Sequence, residues 1–350
     1  MYKKKLILLI ISVFFFIILI ESGIRFILYL KSDTLFKTEN HQTLYKKYSE
    51  RLNHLRYMYP RPNKPDEYLL NELNGFDENL NTILIQGDSR TNQLNKFKDK
   101  DYLNQLGYNL INSGTSSYSP SNMSVQFDVI NEHFDYKPKI VIALIDPTDL
   151  GDEICRYKEK IIYKNNKIWS IKKNQSVSEV YFLYNYFLMS EVNLSKKPKF
   201  FYLPKIIKYI FKYNLNFKKN CKFNEDIQSY LIKENEEGKE YFKFILTKYI
   251  ENIQSYNFVE KIYLVSYPHI QHLDESYFNL KYKIKINDII KEINLDEVNH
   301  IDLYENNVFK EYNKNYLKVF IKGDNASHLT DEGIDVFYKY IFDKVKKDNE

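Results

Sequence analysis

The chain has 350 residues, 44% of them hydrophobic and 28% charged, enough to bury a substantial core in one large domain or two small ones. Its 51 lysines and arginines stand against 46 aspartates and glutamates, a net charge of only +5 spread along the sequence. The absence of a basic stripe argues against nucleic acid as a partner.

At the amino terminus Lys3, Lys4 and Lys5 precede an apolar run from Leu6 to Ile20 that is interrupted only by Ser12. Extended to Ile24, the run has about 19 residues, which at about 1.5 Å per helical residue spans a hydrocarbon core of about 30 Å. The next segment, "ESGIRFILYL", is bulky and charged, unlike the small-x-small site of a cleaved signal peptide. Residues 1–30 are therefore predicted to be a retained single-pass membrane anchor, with Glu21 and Arg25 paired where the helix leaves the lipid. By the positive-inside rule the lysines face the cytoplasm, which places the rest of the chain on the periplasmic or external side of the cytoplasmic (inner) membrane. Cys155 and Cys221 are free to pair in such an oxidising compartment, although two cysteines do not make a disulfide framework.

Residues 31–80 are polar and read as a stem, extended by "YPRPNKP" at 59–65. From Asn81 the texture changes. "TILIQ" (82–86), "YNLINSG" (108–114), "KIVIALID" (139–146) and "KIYLVSYP" (261–268) are short β-branched runs ending in turn residues. The early ones are separated by stretches long enough for crossover helices, the pattern of a parallel sheet covered on both faces. Residues 81–350 are thus predicted to form one α/β domain with a mixed insertion at about 153–256. The insertion opens with a hairpin over 161–171 around Asn165 and Asn166. Its aromatics, Tyr181 to Phe187 and Phe200 to Tyr213, read as the core of amphipathic helices rather than a ligand platform. The closing segment has a helical period through Ile334, Phe337, Tyr338, Ile341 and Val345, capped by Thr330.

In an open parallel sheet the ligand site lies beyond the carboxyl ends of the strands. Three strands here end in polar clusters, Gly87-Asp88-Ser89, Asn112-Ser113-Gly114 and Asp146-Pro147-Thr148-Asp149, and a fourth cluster, "GDNASHLTDEG" (323–333), precedes the last helix. Acyl transfer from a serine needs a base, a group that orients the base, and donors for the developing oxyanion. Ser89 lies on a strand-to-helix turn, where its own N–H and the helix dipole face developing negative charge. Gly114 can offer a second N–H unobstructed by a side chain, His328 can serve as base, and Asp324 can orient it.

These blocks resemble the SGNH, or GDSL-like, hydrolases, in particular bacterial members with one amino-terminal membrane helix. "ILIQGDSRT" is similar to the nucleophile block, "LINSGTSSYSPSN" to the block with the glycine donor, "KPKIVIALIDPTDLGD" to the third and "DNASHLTDEG" to the last. The resemblance covers about residues 81–150 and 258–345. It implies a flavodoxin-like α/β/α sandwich of three layers and a serine esterase, lipase or acyltransferase activity without metal or other cofactor. Two departures stand out. Thr148 replaces the asparagine that usually donates to the oxyanion, and Asp324 precedes His328 by four residues rather than two or three. The loop therefore bulges by a residue, or Asn325 or water orients the histidine.

Other candidates have less to support them. His269 and His272 have a metal-like spacing, but no nearby acid completes a site. Asp149 reads as a cap of the following segment. Arg90, directly after Ser89, is expected to pair with an acid. The reading that results is a membrane-anchored esterase or O-acyltransferase. It would act through an acyl-enzyme on ester-linked acyl groups, acetyl foremost, of an envelope glycan, the transferase needing a membrane partner that delivers the acyl donor. The competing reading is a catalytically weak scaffold of the same fold that binds glycan or organises an assembly complex, motivated by Thr148 and the shifted Asp324.

Overall fold

A computed structural model of the chain describes residues 2–36, 62, 68–172, 236–274, 277, 282–293, 298–313, 315–324 and 326–350. The chain divides into two compact units, one comprising Met1–Leu55 with Lys173–Lys219 and the other Arg56–Lys172 with Asn220–Glu350. In the first unit the described residues form a helix, α1, over Tyr2–Phe36. Within it Arg25 Nε donates to Glu21 Oε1 at 3.2 Å, the pairing expected one turn apart.

The expected membrane anchor is not shown by the described residues. Among the described residues no helix is long and apolar enough to cross a membrane. The contiguous described side chains of α1 run only from Ile11 to Phe26, and that stretch includes both Glu21 and Arg25.

The second unit is built on a six-stranded sheet. Its strands are β1 (Asn71–Glu72), β2 (Thr82–Gln86), β3 (Asn109–Asn112), β4 (Ile140–Ile145), β7 (Lys261–Ser266) and β8 (Val298–Asp302), with β5 (Ile161–Lys164) and β6 (Lys167–Ile171) forming a separate hairpin. The spatial order is β1-β3-β2-β4-β7-β8. All pairings in the large sheet are parallel except that of β1 with β3. Counting only the parallel strands in chain order, the sheet reads 2-1-3-4-5, the flavodoxin-like order, whose switch point falls between β2 and β4.

Among the described residues the α-helices of this unit are α2 (Ser89–Gln93), α3 (Lys100–Gln105), α4 (Pro120–His133), α5 (Asp149–Asp152), α6 (Glu236–Gln254), α7 (Ile270–Leu273), α8 (Ile286–Lys291) and α9 (Asp331–Lys347). Because side chains alternate across a strand, the apolar runs supply two cores. Ile83, Ile85, Ile142, Leu144 and Val265 pack with Ile334, Phe337 and Ile341 of α9. Leu84, Val141, Ala143 and Leu264 pack with Phe127 of α4 and with Leu246 and Ile250 of α6. The result is three layers, with helices on both faces of the sheet.

Three differences from the sequence reading have physical causes. The end of the expected stem joins the sheet, since Asn71–Glu72 pairs antiparallel with β3. Strand β8, "VNHID", has no counterpart among the expected strands, because an edge strand half-covered by the fold carries no continuous apolar run. The expected insertion also contributes to the core, as α6 supplies the cover of one sheet face. The hairpin turns at Asn165 and Asn166, with φ of 51° and 62°, the two left-handed residues a tight hairpin needs. Cys155 is disulfide-bonded. Cys221, Asn325, "YPRPNKP" apart from Pro62, and the aromatic segments at 181–187 and 200–213 lie outside the described residues.

Candidate active site

The site begins where β2 ends. Gly87 adopts φ 153°, and a Cβ there would fall 2.1 Å from Thr91 Oγ1 and 2.9 Å from Leu144 O, so the turn into α2 passes too close to its neighbours for a side chain. Asp88 takes the N-cap, its carboxylate accepting the Arg90 N–H at 2.9 Å. Ser89 is therefore not the cap but the first helical residue. Its hydroxyl lies 3.1 Å from Asp88 Oδ2 and stays clear of the cap itself, and its N–H lies at the positive end of the short helix.

The last cluster meets it there. Ser89 Oγ lies 2.7 Å from His328 Nε2, and His328 Nδ1 lies 2.5 Å from Asp324 Oδ2. The four-residue spacing is absorbed by a turn in which Ser327 takes φ 54°, so Asp324 reaches the ring directly and the loop bulges. Asp324 also accepts the backbone N–H groups of Ala326 and His328, each at 3.0 Å. Burial would raise the Asp324 pKa, but the hydrogen bond and charge of His328, with those two N–H donors, lower it to about 2. Burial pulls the His328 pKa down, yet Asp324, helped by the charge of Asp88, leaves it raised above its ordinary value. The geometry puts the serine hydroxyl within hydrogen-bond reach of two acceptors, the shorter contact being to an imidazole oriented by an ionised carboxylate, as a serine nucleophile and its base require.

The expected oxyanion donors are placed differently. The Gly114 N–H donates to Asn112 Oδ1 at 2.9 Å, closing an Asx turn. A Cβ on Gly114 would lie 2.4 Å from Asn92 N, so the glycine lets this loop lie flat on α2, an arrangement tied by Asn92 Nδ2 to Gly114 O at 2.9 Å. The Thr148 hydroxyl and N–H both donate to Asp146 Oδ1, at 2.5 and 2.7 Å. Both donors are directed to acceptors within the protein in this arrangement. That leaves the Ser89 N–H as the donor of the three whose hydrogen bond is not directed elsewhere among the described residues.

A buried polar network that sequence reasoning missed lies beside the triad. Asp146 Oδ2 accepts from the Tyr267 hydroxyl at 2.7 Å and from His269 Nε2 at 3.0 Å. Burial opposes ionisation of Asp146, but His269, Arg90 and the Thr148 donors hold it as the carboxylate. His269 is wholly buried, and desolvation keeps it neutral against the pull of Asp146. His272 is equally committed, with Nδ1 accepting the His269 N–H at 3.1 Å and Nε2 donating to Ile284 O at 3.0 Å. The spacing that looked metal-like thus comes from a capping interaction at α7. The signal available in the sequence was the tyrosine and histidine directly after the fourth strand.

The remaining carboxylates compete for few positive partners. Asp149 Oδ2 accepts the Asp146 N–H at 2.9 Å, and burial together with the charges of Asp146, Asp88 and Asp152 raises its pKa well above the usual range. Asp88 is pushed up to about 7, by burial first and by Asp146 second. Arg90 corrects an expectation. Among the described residues it forms no contact ion pair. It is 1% exposed, donates through Nη2 to Ser327 O at 2.5 Å, and lies 4.1 Å above the Tyr267 ring.

No protein-family model matches the chain, and no curated protein matches it. Among solved structures, a mutant of an acetyl-xylooligosaccharide esterase from Geobacillus stearothermophilus aligns at 13% identity and TM-score 0.40, over 76% of this chain and 94% of that one. A second mutant of the same acetylxylan esterase aligns at 12% identity and TM-score 0.36, over 75% and 93%. A possible lipase from Chitinophaga pinensis aligns at 11% identity and TM-score 0.33, over 76% and 98%. Likeness this distant assigns no activity, and the functional reading rests on the site itself.

Proposed function

We propose that this chain is an SGNH-type serine esterase or O-acyltransferase, and the observation that carries the reading is the continuous hydrogen-bond chain from Ser89 through His328 to Asp324. Ser89 Oγ attacks the acyl carbonyl while His328 Nε2 takes the hydroxyl proton and Asp324 stabilises the imidazolium that forms. Collapse expels the alcohol, which leaves with that proton, and the acyl group remains on Ser89. A water or a sugar hydroxyl then attacks, giving up its proton to His328, which returns it to Ser89 Oγ as the acid or the transferred ester is released. The proposed substrate is an acetylated or otherwise acylated envelope glycan. The proposed location is the periplasmic or external face of the cytoplasmic membrane, on the strength of the lysine-led apolar amino terminus, with the disulfide at Cys155 supporting an oxidising compartment. In a transferase, a membrane partner supplies the acyl donor.

A second reading, a weakly catalytic scaffold that binds glycan, is favoured by one observation: the Gly114 N–H and the Thr148 hydroxyl are both donated within the protein. One experiment separates the two. The full-length chain and its Ser89→Ala variant are offered a chromogenic acetyl ester and a serine-directed fluorophosphonate. Turnover and labelling that depend on Ser89 support the enzyme. A native chain that neither hydrolyses nor labels any faster than the alanine variant leaves the scaffold.

A further inference from the structure

Helix α2 does more than present Ser89. One turn of it grips the chain on both sides of His328. Arg90 Nη2 donates to the carbonyl of Ser327, the residue before the histidine, at 2.5 Å. The Gln93 amide pairs with the residue after it on both of its groups, Nε2 donating to Leu329 O and Oε1 accepting the Leu329 N–H, each at 2.9 Å. Arg90 and Gln93 are three residues apart and so share a helix face, and both are buried.

The gripped segment is one that needs holding. Ser327 takes φ 54°, a conformation that side-chain-bearing residues seldom adopt. Its own hydroxyl is fixed from the other side, accepting the Ile270 N–H at 3.2 Å and donating to Gln271 Oε1 at 2.8 Å. The loop thus stands between α7 and α2, and α2 also bears the serine. The Arg90 guanidinium is itself held flat, 4.1 Å over the Tyr267 ring, while the Tyr338 hydroxyl donates to the Arg90 carbonyl at 2.7 Å. A planar fork that stacks and donates at once is a task for arginine and not for lysine.

We propose that Arg90 and Gln93 are positioning residues, a clasp that holds His328 at hydrogen-bond distance from Ser89 by fixing the backbone on either side of it. The inference rests on the reading of Ser89 as the acylated group and adds the residues that set its base. Placing the clasp on the helix that carries Ser89 keeps base and nucleophile in register when the helix shifts, because both move with it. Misplacement of a reacting group by about 1 Å costs on the order of 100-fold in rate, and neither Arg90→Lys nor Gln93→Ala alters a group that touches the substrate.

The test uses the full-length chain with each of these two substitutions, both of which keep the charge around the imidazole unchanged. Second-order labelling of Ser89 by a fluorophosphonate is measured from pH 5 to 9, alongside kcat and KM on an acetyl ester. The clasp predicts labelling slower by about 100-fold in Arg90→Lys and about 10-fold in Gln93→Ala, with kcat falling and KM steady. It also predicts an acid limb moved down towards the ordinary histidine value of 6.5 as the ring parts from Asp324, the groups facing that ring being Asp324, Asp88 and Arg90. Residues serving only stability would lower the melting temperature and leave the rate and midpoint of the folded fraction at native values, and that result overturns the clasp. Should neither variant fold, amide exchange in the native chain decides. Leu329 exchanging as slowly as the central strands supports the clasp, and exchange at the rate of an exposed loop overturns it. A native chain that fails to label at Ser89 fails at the functional reading instead, a result visible before any variant is compared.

Discussion

Asp324 binds His328 twice: its Oδ2 accepts the ring Nδ1–H at 2.5 Å and the backbone N–H of the same residue at 3.0 Å. A carboxylate four residues before the histidine thereby sets both the tautomer of the ring and the direction in which it leaves the backbone. Asp324→Asn removes the charge and lets the wrong tautomer form, a change that costs about 10⁴-fold in kcat where triads of this type have been altered. The sign of the pH effect is set by the raised His328 pKa. The base must be neutral, so the acid limb of native kcat/KM is expected above 6.5, and in Asp324→Asn the limb moves to lower pH. Steady-state kinetics on an acetyl ester from pH 4 to 9 checks both, and an unchanged midpoint would sink the assignment.

Thr148 is expected to matter little to the chemical step. Its hydroxyl is committed to the Asp146 carboxylate at 2.5 Å, so Thr148→Val should lower kcat by less than about 10-fold and cost about 1.5–3 kcal/mol of stability for the lost hydrogen bond to a charged group. An oxyanion donor would instead cost about 100- to 1000-fold in kcat with little change in stability. Paired kinetic and urea-denaturation measurements on the one variant tell the two apart.

Gly114 is expected to act through packing. With Asn92 N only 2.4 Å and Thr91 C 2.5 Å from where its Cβ would be, Gly114→Ala must push the loop away from α2. Overpacking of this kind destabilises by about 1–3 kcal/mol. A thermal melt equal to that of the native protein would rule the packing role out.

Glu153 ties pH to stability away from the triad. Its Oε1 accepts from the Ser119 hydroxyl and the Ser121 N–H, each at 2.7 Å, and burial pushes its pKa from 4.5 to about 7. For a raised acid the folded state favours the protonated form, so the contribution is complete below pH 4.5 and is lost as pH rises through about 7. Glu153→Gln mimics the protonated form. It should melt close to the native protein at pH 5 and above it at pH 8. Because Asp88, also raised to about 7, titrates in the same window, the native pH dependence should shrink without vanishing. Identical pH dependence in the two proteins would contradict this account.

Local signals made much of the architecture legible. The runs at 83–85, 140–145 and 262–265 are apolar throughout because their strands are covered on both faces, and such runs are visible without a partner. Thr330 caps α9 through the Gly333 N–H at 3.2 Å, another local event. Strand β8 leaves no such signal because an edge strand is only partly covered. The two-residue β1 is defined by nothing but its pairing with β3.

For the site, the residue types at the strand and helix ends were enough to nominate Ser89, His328 and Asp324, since each role in acyl transfer calls for a particular functional group at a chain turn. Which way Arg90 points was decided by tertiary structure. Arg90, expected to seek an acid, finds instead the Ser327 carbonyl, a partner 237 residues away. The Gly114 N–H and the Thr148 hydroxyl turn to acceptors two residues away, on Asn112 and Asp146, because the tight turns at those strand ends bring those oxygens within reach first. A sequence determines which donors and acceptors a chain possesses and which segments are apolar enough to become strands. The pairing among those groups depends on which segments the sheet and its two cores bring within about 3 Å of one another, the reach of a hydrogen bond, a proximity that no local pattern encodes.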